Sequence, residues 1–259
     1  MKFFEEIKLL SLLISAVFFL PGLVLRHDAK DEKSIQLAKS FPQICHFYDC
    51  EGTLIAPQWV LTAGHVAAVY QKITDKKKLT ITINSKNYFI EKIITHPGFI
   101  NAGSGSPMQN DIALIKISKP VDDIKPALVY GLADEKGRTI TLVGAGDKGT
   151  GLSGATSNDH ITRAATNIVD EVENTWIMFD FDSPNSKDAT SLEGVSGPGD
   201  SGGPAFIVEG NKTYVVGVSS HQAVQCDDNG KCTEPGRYGI VECYTRVSNF
   251  NKWILNTIK

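Results

Sequence analysis

The feature that most constrains this chain is the stretch of residues 196–204, Ser-Gly-Pro-Gly-Asp-Ser-Gly-Gly-Pro. Its four glycines and two prolines exclude a continuous helix or strand. Because glycine permits positive φ and close backbone approach, the stretch is predicted to be a tight, specified loop. At its centre a hydroxyl group, that of Ser201, directly follows an acid, Asp200. An isolated pattern of this kind is typical of a polar turn, so a catalytic interpretation requires a base and an orienting acid elsewhere.

Two upstream segments supply these partners. Residues 60–65, Val-Leu-Thr-Ala-Gly-His, form an apolar strand that ends at His65. Residues 110–117, Asn-Asp-Ile-Ala-Leu-Ile-Lys-Ile, place Asp111 at the start of an apolar strand that would bury its carboxylate. Together with the Ser201 loop, these segments resemble the motifs of the trypsin/chymotrypsin-like serine proteases, in the chymotrypsin order of histidine, aspartate and serine. The resemblance, to a secreted, bacterial-type member, covers about residues 45–255.

This resemblance implies an all-β, chymotrypsin-like fold of two six-stranded antiparallel β-barrels with a C-terminal helix. The sequence agrees, because short β-rich runs such as 79–83 alternate with turn residues. Apolar residues at 247, 250, 254 and 258 have helical spacing. The expected organisation is a signal peptide or anchor over 1–22 and a peptidase domain over 23–259. The first barrel would span about 23–125 and the second about 126–259.

Composition narrows the classes of partner. Hydrophobic residues make up 42% of the 259 residues, which supports a sizeable core, and the net charge of −3 argues against a nucleic-acid surface. We expect protein or peptide substrates, a proteinaceous inhibitor as a further partner, no nucleic acid and a monomeric state. We expect no cofactor and no metal, since no Cys-x₂-Cys or Cys/His pair has zinc-site spacing.

The N-terminal residues have the anatomy of an export signal. Lys2 and Lys8 precede an apolar run over 9–20 that ends at Pro21-Gly22. Two glutamates in the basic region and the lack of a small-x-small cleavage site are atypical, and residues 9–25 approach the length of a membrane anchor. Because Pro21-Gly22 would interrupt a span, cleavage is the preferred interpretation. It predicts a secreted or periplasmic protein without membrane contact.

Five cysteines leave at least one thiol unpaired within a monomer. Residues 226–232 enclose an Asn-Gly turn, and we expect their two terminal cysteines to pair. In the family, a cysteine at the position of Cys50 bonds to the residue after the histidine, which here is Val66. Cys45 is the nearest substitute partner for Cys50. Cys243, in an apolar strand, is expected to be a buried thiol.

The resemblance also assigns the chemical roles that amide hydrolysis requires. Ser201 would be the nucleophile, His65 the base and later the acid, and Asp111 the acceptor that fixes the imidazole tautomer. The N–H groups of Gly199 and Ser201 would form the oxyanion hole. Other histidines lack such partners and are expected to be surface or structural residues: His27, His46, His96 and His160.

The expected substrate pocket departs from the trypsin pattern. Where trypsins carry an acid at the base of the pocket, this chain has Val195, and Glu242 is the residue that could restore a negative charge. Gln222 stands where many members have glycine, so it would narrow the pocket. Cleavage after small or apolar residues and cleavage after Lys or Arg therefore both stay open. The expected substrate-binding residues are Val195, Ser196, Ser220, His221, Gln222 and Glu242.

Asp200 has an implied role in activation. In the family, proteolysis creates an α-ammonium group that pairs with the acid before the nucleophile. The usual Arg-Ile-Val-Gly-Gly activation sequence is missing, but Leu25 lies 40 positions before His65, close to the family separation. We expect signal removal within 23–25 to create the activating end. Later cleavage within 26–30 is the alternative.

The leading functional prediction is a secreted serine endopeptidase that works through an acyl-enzyme intermediate. One alternative is a catalytically inactive homologue that acts as a binding module. Such proteins usually lack one of the three catalytic residues, whereas this chain has all three. The other alternative is an esterase, which the same chemistry permits and the fold analogy disfavours.

Overall fold

A computed structural model describes residues 23–73, 79–101, 108–224 and 233–259. In chain order, the elements are β1 (Val24–Leu25), α1 (Asp31–Ala38), β2 (Ile44–His46), β3 (Glu51–Ala56), β4 (Trp59–Thr62), α2 (Gly64–Gln71), β5 (Thr80–Ile83), β6 (Lys86–Thr95), β7 (Ala113–Ile117), β8 (Leu128–Val129), β9 (Thr139–Gly144), β10 (Lys148–Thr150), β11 (Gly154–Ser157), β12 (Arg163–Ile168), β13 (Glu171–Val172), β14 (Trp176–Asp180), β15 (Gly194–Val195), β16 (Pro204–Glu209), β17 (Lys212–Ala223), β18 (Val241–Arg246) and α3 (Val247–Thr257).

The first half of the chain forms a closed barrel in the order β2-β3-β4-β7-β6-β5. All neighbouring strands in it are antiparallel. Strand β5 illustrates how the sequence produces the barrel: threonine and isoleucine alternate, and both Ile81 and Ile83 are fully buried. An alternating strand of this kind directs one set of side chains to the interior and the other outward.

The second half forms a sheet in the order β12-β9-β16-β17-β18-β14-β13, and β8 pairs with β17. Strands β12 and β14 lie near opposite ends of this strand order, and they approach each other where Asn167 Nδ2 donates to the carbonyl of Asp180 at 2.9 Å. Helix α3 buries Val247, Phe250 and Ile254, as their spacing predicts. The predicted all-β fold with two barrels and a C-terminal helix is confirmed, with eight strands rather than six in the second sheet.

Strand β1 lies apart from the first barrel, in a four-stranded sheet ordered β11-β10-β1-β15. Val24 pairs in parallel with Gly149 and antiparallel with Val195. Leu23 and Leu25 are buried on either side of it. The segment 23–25 is therefore packed into the second half of the molecule, close to the strand that leads to the Ser201 loop. The proposed barrel boundary near residue 125 stays a prediction.

The state of the cysteines differs from the sequence prediction at one predicted disulfide. Cys45 and Cys50 are both unbonded, so the predicted bridge between them is wrong. The register of β2 and β3 places Gly52 opposite Cys45, and the Cys45 thiol lies 3.4 Å from the carbonyl of Gln43. Cys243 is a buried free thiol, as predicted. The predicted pair within 226–232 falls outside the described residues.

The N-terminal prediction has no structural counterpart, because residues 1–22 also fall outside the described ranges. Among the helices that the structure describes, none is both long and apolar enough to cross a membrane.

Candidate active site

His65 is positioned by the junction between β4 and α2. Strand β4 ends at Thr62, Ala63 keeps an extended backbone with φ −78° and ψ 151°, and the helix begins at Gly64. A Cβ atom on Gly64 would lie 2.7 Å from the ring of Phe99, so only glycine fits at this close approach. The junction places the His65 side chain at the surface of the barrel with 22% of it exposed.

Asp111 is fully buried and both of its carboxylate oxygens are satisfied. Oδ1 accepts the backbone N–H of His65 at 2.7 Å, and Oδ2 lies 2.7 Å from the imidazole Nδ1 of the same residue. Ser220 Oγ donates to Oδ2 at 2.6 Å. Burial acts to raise the pKa of Asp111, but the hydrogen bonds from His65 and Ser220 lower it overall. The carboxylate is therefore charged at neutral pH, and it holds the imidazole with its Nε2 available for proton transfer.

The Ser201 loop has the backbone that its glycines predict. Gly199 and Gly202 have φ values of 97° and 81°. A Cβ atom on Gly202 would lie only 2.2 Å from Thr62 Oγ1. The carbonyl of Ser201 accepts the N–H of Glu51 at 2.8 Å, which ties the loop to the first barrel. Within the described residues, the N–H groups of Gly199 and Ser201 donate to no protein acceptor, so they are free to bind an anion.

His65 and Ser201 line one cleft of about 440 Å³. No hydrogen bond joins the Ser201 hydroxyl to the imidazole among the described contacts, a looseness common in unliganded active sites. Of the predicted substrate-binding residues, four line this cleft: Ser196, Ser220, His221 and Gln222. The other two, Val195 and Glu242, are fully buried and do not line it.

Glu242 lies directly behind the cleft wall. Ser196 Oγ is 2.9 Å from each of its carboxyl oxygens, and Gln222 Nε2 donates to Oε1 at 2.5 Å. The same Gln222 amide also donates to the Ser196 carbonyl at 2.9 Å. Burial raises the pKa of Glu242 to about 7, although the hydrogen bonds from Gln222 and Ser196 oppose this. The acid that could attract a basic substrate residue is thus covered by two polar side chains.

His221 forms another part of the cleft wall. Its ring meets the Trp176 ring edge-on, with centroids 5.0 Å apart, and its Nδ1 lies 3.3 Å from Ser220 Oγ. Burial lowers the pKa of His221, so the ring is neutral at physiological pH. The residue therefore offers the cleft a neutral, partly apolar surface.

Asp200 points away from the cleft into the second half. Its Oδ1 accepts the N–H of Gly146 at 2.6 Å, and its Oδ2 accepts the N–H of Gly197 at 2.8 Å. A Cβ atom on Gly144 would lie 2.1 Å from Oδ1, so β9 must end in a glycine here. Burial and the negative charge of Glu51 raise the pKa of Asp200 well above its usual range. The carboxyl group holds the start of the Ser201 loop against the end of β9.

Sequence reasoning missed two features of this site. Ser220 was expected to bind substrate and does line the cleft, but the hydrogen bond from its hydroxyl to Asp111 was not predicted. Glu51 was not singled out, although its side chain is only 3% exposed beside the Ser201 loop. The only sequence signal is an acid next to glycine at the start of an otherwise apolar strand. The described residues contain no group of three or more His, Cys, Asp or Glu side chains arranged to hold a metal ion.

Comparisons with known proteins place this geometry in a family. The family model described as Trypsin matches residues 29–254. A trypsin of Phaedon cochleariae is 32% identical over 231 residues, covering 83% of this chain and 80% of that protein. The complement C1s subcomponent of Sus scrofa is 28% identical over 252 residues, covering 85% of this chain but only 34% of that protein. These relatives are animal proteins and do not support a bacterial-type assignment. The chain belongs to the trypsin family of serine proteases.

Proposed function

We propose that this protein is a secreted serine endopeptidase that cleaves peptide bonds through an acyl-enzyme on Ser201. The observation that carries the proposal is the double contact of Asp111 with His65, at 2.7 Å to both the backbone N–H and Nδ1, beside a cleft that Ser201 also lines. A buried, charged acid that orients a histidine next to a serine is the arrangement that nucleophilic acyl transfer requires.

In the proposed reaction, Ser201 Oγ attacks the peptide carbonyl carbon while His65 Nε2 removes the hydroxyl proton. The tetrahedral intermediate collapses when His65 gives that proton to the leaving amine, which breaks the carbon–nitrogen bond and leaves an ester on Ser201. Water then attacks the ester, again with His65 as base, and Ser201 regains its proton as the acid product leaves. Asp111 keeps its charge throughout and stabilises the imidazolium form of His65.

The unpaired N–H groups of Gly199 and Ser201 would bind the oxygen that becomes negative in the intermediate. These donors are fixed by the backbone before substrate arrives, so little reorganisation accompanies the reaction. Removing one such donor in a serine protease costs about 10²–10³ in kcat.

For the substrate, we propose cleavage after small or apolar residues. Val195 is fully buried in the strand that pairs with β1, and the carboxyl group of Glu242 is hydrogen-bonded to Ser196 and Gln222. A Lys or Arg side chain would have to displace the Gln222 amide before it reached that charge. Beside serine hydroxyls, the Gln222 amide and the neutral His221 ring, the cleft is lined by apolar side chains, those of Val69, Met108 and two prolines. A monomeric state and a protein inhibitor that fills the cleft belong to the same proposal.

For maturation, we propose that removal of the export signal creates an N-terminus at or near Leu23. Val24 pairs antiparallel with Val195 and in parallel with Gly149, so the chain before Val24 runs toward Ser196 and Lys148. The adjoining Gly197 and Gly146 N–H groups are those that hold Asp200. An α-ammonium group at this end would therefore be directed toward the Asp200 carboxyl group. A buried carboxylate is costly unless such a charge accompanies it.

Labelling with a fluorophosphonate tests the enzyme proposal. We expect one adduct on Ser201 in the folded mature protein, no adduct in the Ser201→Ala variant, and unchanged labelling in the control Ser191→Ala, whose hydroxyl is exposed. A folded mature protein that forms no adduct would favour the inactive binding module. If a protein that forms the adduct on Ser201 is assayed before labelling and hydrolyses ester but not peptide substrates, the esterase is favoured.

A further inference from the structure

Glu51 begins β3 in the first barrel, but its polar contacts reach across to the second half. Its N–H donates to the carbonyl of Ser201 at 2.8 Å. Its Oε1 accepts the N–H of Ala145 at 2.6 Å. Its carbonyl accepts from Thr62 Oγ1 at 2.7 Å, which anchors it on its own side to the end of β4. One residue therefore contacts the Ser201 loop through its backbone and the end of β9 through its carboxyl group.

The second carboxyl oxygen of Glu51 reaches the space occupied by Asp200. An atom at the Cβ position of Gly144 would lie 3.1 Å from Glu51 Oε2 and 2.1 Å from Asp200 Oδ1. The same Oε2 would lie 2.9 Å from a Cβ atom on Gly203. It is buried and has no hydrogen-bond partner in the part of the chain that the structure describes. Two carboxyl groups that share one desolvated space cannot both stay charged without strong compensation.

The two acids hold successive N–H groups of the same turn. Glu51 Oε1 accepts the N–H of Ala145, and Asp200 Oδ1 accepts the N–H of the next residue, Gly146. The other oxygen, Asp200 Oδ2, accepts the N–H of Gly197 at the start of the Ser201 loop. Hydrogen bonds thus connect the first barrel to both ends of the segment that carries Gly199. Since those bonds converge on that segment, losing the Glu51 contact would loosen it.

The titratable groups around the acid pair include His46, Cys45, Cys50, Tyr244 and Glu242. His46 Nδ1 lies 3.2 Å from Glu51 Oε1, and its Nε2 lies 3.4 Å from Thr162 Oγ1. Burial acts to lower the pKa of His46, but the hydrogen bond to Glu51 and its charge raise it overall. Burial raises the pKa of the Cys50 thiol to about 12, so that group adds no charge at neutral pH. His46 contacts Glu51 directly and can supply a compensating positive charge, and His160 lines the same pocket.

We propose that Glu51 is a positioning residue for the oxyanion hole, which its carboxyl group and backbone N–H fix by tying the Ser201 loop and the Ala145 turn to the first barrel. The inference rests on the proposed endopeptidase function and adds a residue that sequence motifs do not mark. Glu51 does not touch the reacting atoms, so its effect passes through the position of the Gly199 and Ser201 N–H groups.

Three substitutions at Glu51 distinguish the effect of losing its hydrogen bond to Ala145 from the effects of side-chain volume and charge. Glu51→Gln keeps the acceptor for Ala145 and offers a donor to Asp200. Glu51→Leu keeps the volume but removes the acceptor, and Glu51→Asp keeps the charge but withdraws it by one methylene. The control is Glu91→Gln, which changes an exposed glutamate paired with Lys116. Circular dichroism establishes that each variant is folded.

We expect Glu51→Leu and Glu51→Asp to lower kcat about 10- to 100-fold, part of the cost of losing an oxyanion donor outright. KM for a small ester substrate should change by less than about threefold, because ground-state binding is untouched. Affinity for a peptide boronic acid, which mimics the tetrahedral intermediate, should fall in parallel with kcat. Glu51→Gln and Glu91→Gln should stay within about threefold of the parent in kcat.

A second measurement does not depend on activity. Amide hydrogen exchange over 197–203 should be about tenfold faster in Glu51→Leu than in the parent, with other segments unchanged. If the parent labels on Ser201 but Glu51→Leu matches Glu51→Gln in kcat, the positioning role is wrong and the endopeptidase proposal survives. If Glu51→Leu does not fold, the Glu51→Asp result decides, and kcat at the Glu51→Gln level overturns the role. If the parent itself neither labels nor turns over, the proposed function fails, and unchanged exchange over 197–203 would reject the positioning role as well.

Discussion

Asp111 holds His65 at two points, because one carboxylate oxygen accepts the backbone N–H and the other binds the imidazole Nδ1, each at 2.7 Å. A single buried group thus fixes both the first turn of α2 and the orientation of the ring. The orientation is further defined by Ser220, which donates to the same Oδ2. The position of the proposed base therefore depends on the charge and geometry of one acid.

Replacing Asp111 with Asn should lower kcat about 10⁴-fold, the effect that this substitution has in a Ser-His-Asp protease. The amide nitrogen would donate where the carboxylate accepts, so His65 would adopt the wrong tautomer. Steady-state peptide hydrolysis measures the loss. The exposed Asp188→Asn variant is the control and should match the parent. An Asp111→Asn enzyme with parental kcat would remove Asp111 from the mechanism.

Replacing Gln222 with Gly should open the path to Glu242. The amide now occupies Glu242 Oε1 at 2.5 Å, and its removal would let a Lys or Arg side chain reach that oxygen. We expect kcat/KM for substrates with Lys or Arg at the cleavage site to rise about tenfold or more, since one contact in such a pocket is worth a few kcal/mol at most. Values for apolar substrates should change little.

A cleavage profile across a peptide library measures both effects. If the parent already prefers Lys or Arg and Glu242→Gln loses that preference, Glu242 is accessible to substrate and our specificity proposal is wrong.

Glu242 should also make stability depend on pH. Its pKa is raised from 4.5 to about 7 in the folded protein, so the folded state binds the proton more tightly than the unfolded state. The resulting stabilisation is fully present below pH 4.5 and is lost as the pH rises through about 7. It amounts to about 3 kcal/mol in the free energy of unfolding, as an order of magnitude.

Urea unfolding at acidic pH and at about pH 8 measures this contribution. Glu242→Gln, which carries no titrating group, should lose about 3 kcal/mol less than the parent over that interval. Equal losses in the two proteins would place the titration on other groups.

The mature N-terminus should lie within 23–25. Val24 pairs with both β10 and β15, and Leu23 is 1% exposed, so these residues have a fixed place in the folded protein, as the proposed ion pair with Asp200 requires. N-terminal sequencing of active exported protein measures the position. A first residue beyond Lys30 would require β1 to be lost, and full activity with residues 1–22 still attached would show that no new α-ammonium is needed.

Much of the fold could be predicted because its signals are local. The alternation in β5 and the helical spacing in α3 depend only on neighbouring residues, and both were confirmed. The contact between His65 and Asp111, which lie 46 positions apart, was expected instead from the motifs that resemble the serine protease family. Motifs of this kind predict contacts well because the chemistry constrains several adjacent positions at once.

The errors and omissions concern residues that meet only in the folded state. The Cys45–Cys50 bridge was predicted from proximity in sequence, whereas strand register places Gly52 opposite Cys45. Gln222 donates a hydrogen bond to Glu242 because two strands lie side by side. Glu51 accepts one from Ala145 because the two halves of the molecule approach each other. No local pattern encodes such distances, so they had to be read from the structure.

The pairing of β1 limits how early in synthesis the protein can finish folding. Val24 is made early in synthesis, but its partners Gly149 and Val195 belong to strands that are made much later. Contacts between residues so far apart form late, because a long loop must close before they gain any stability. A chain that stops before Val195 would leave the apolar residues 23–25 without their place in the sheet. The strand that was synthesised first is thus among the last that can pair in the sheet. An incomplete chain would expose its apolar residues to other chains and would be prone to aggregate.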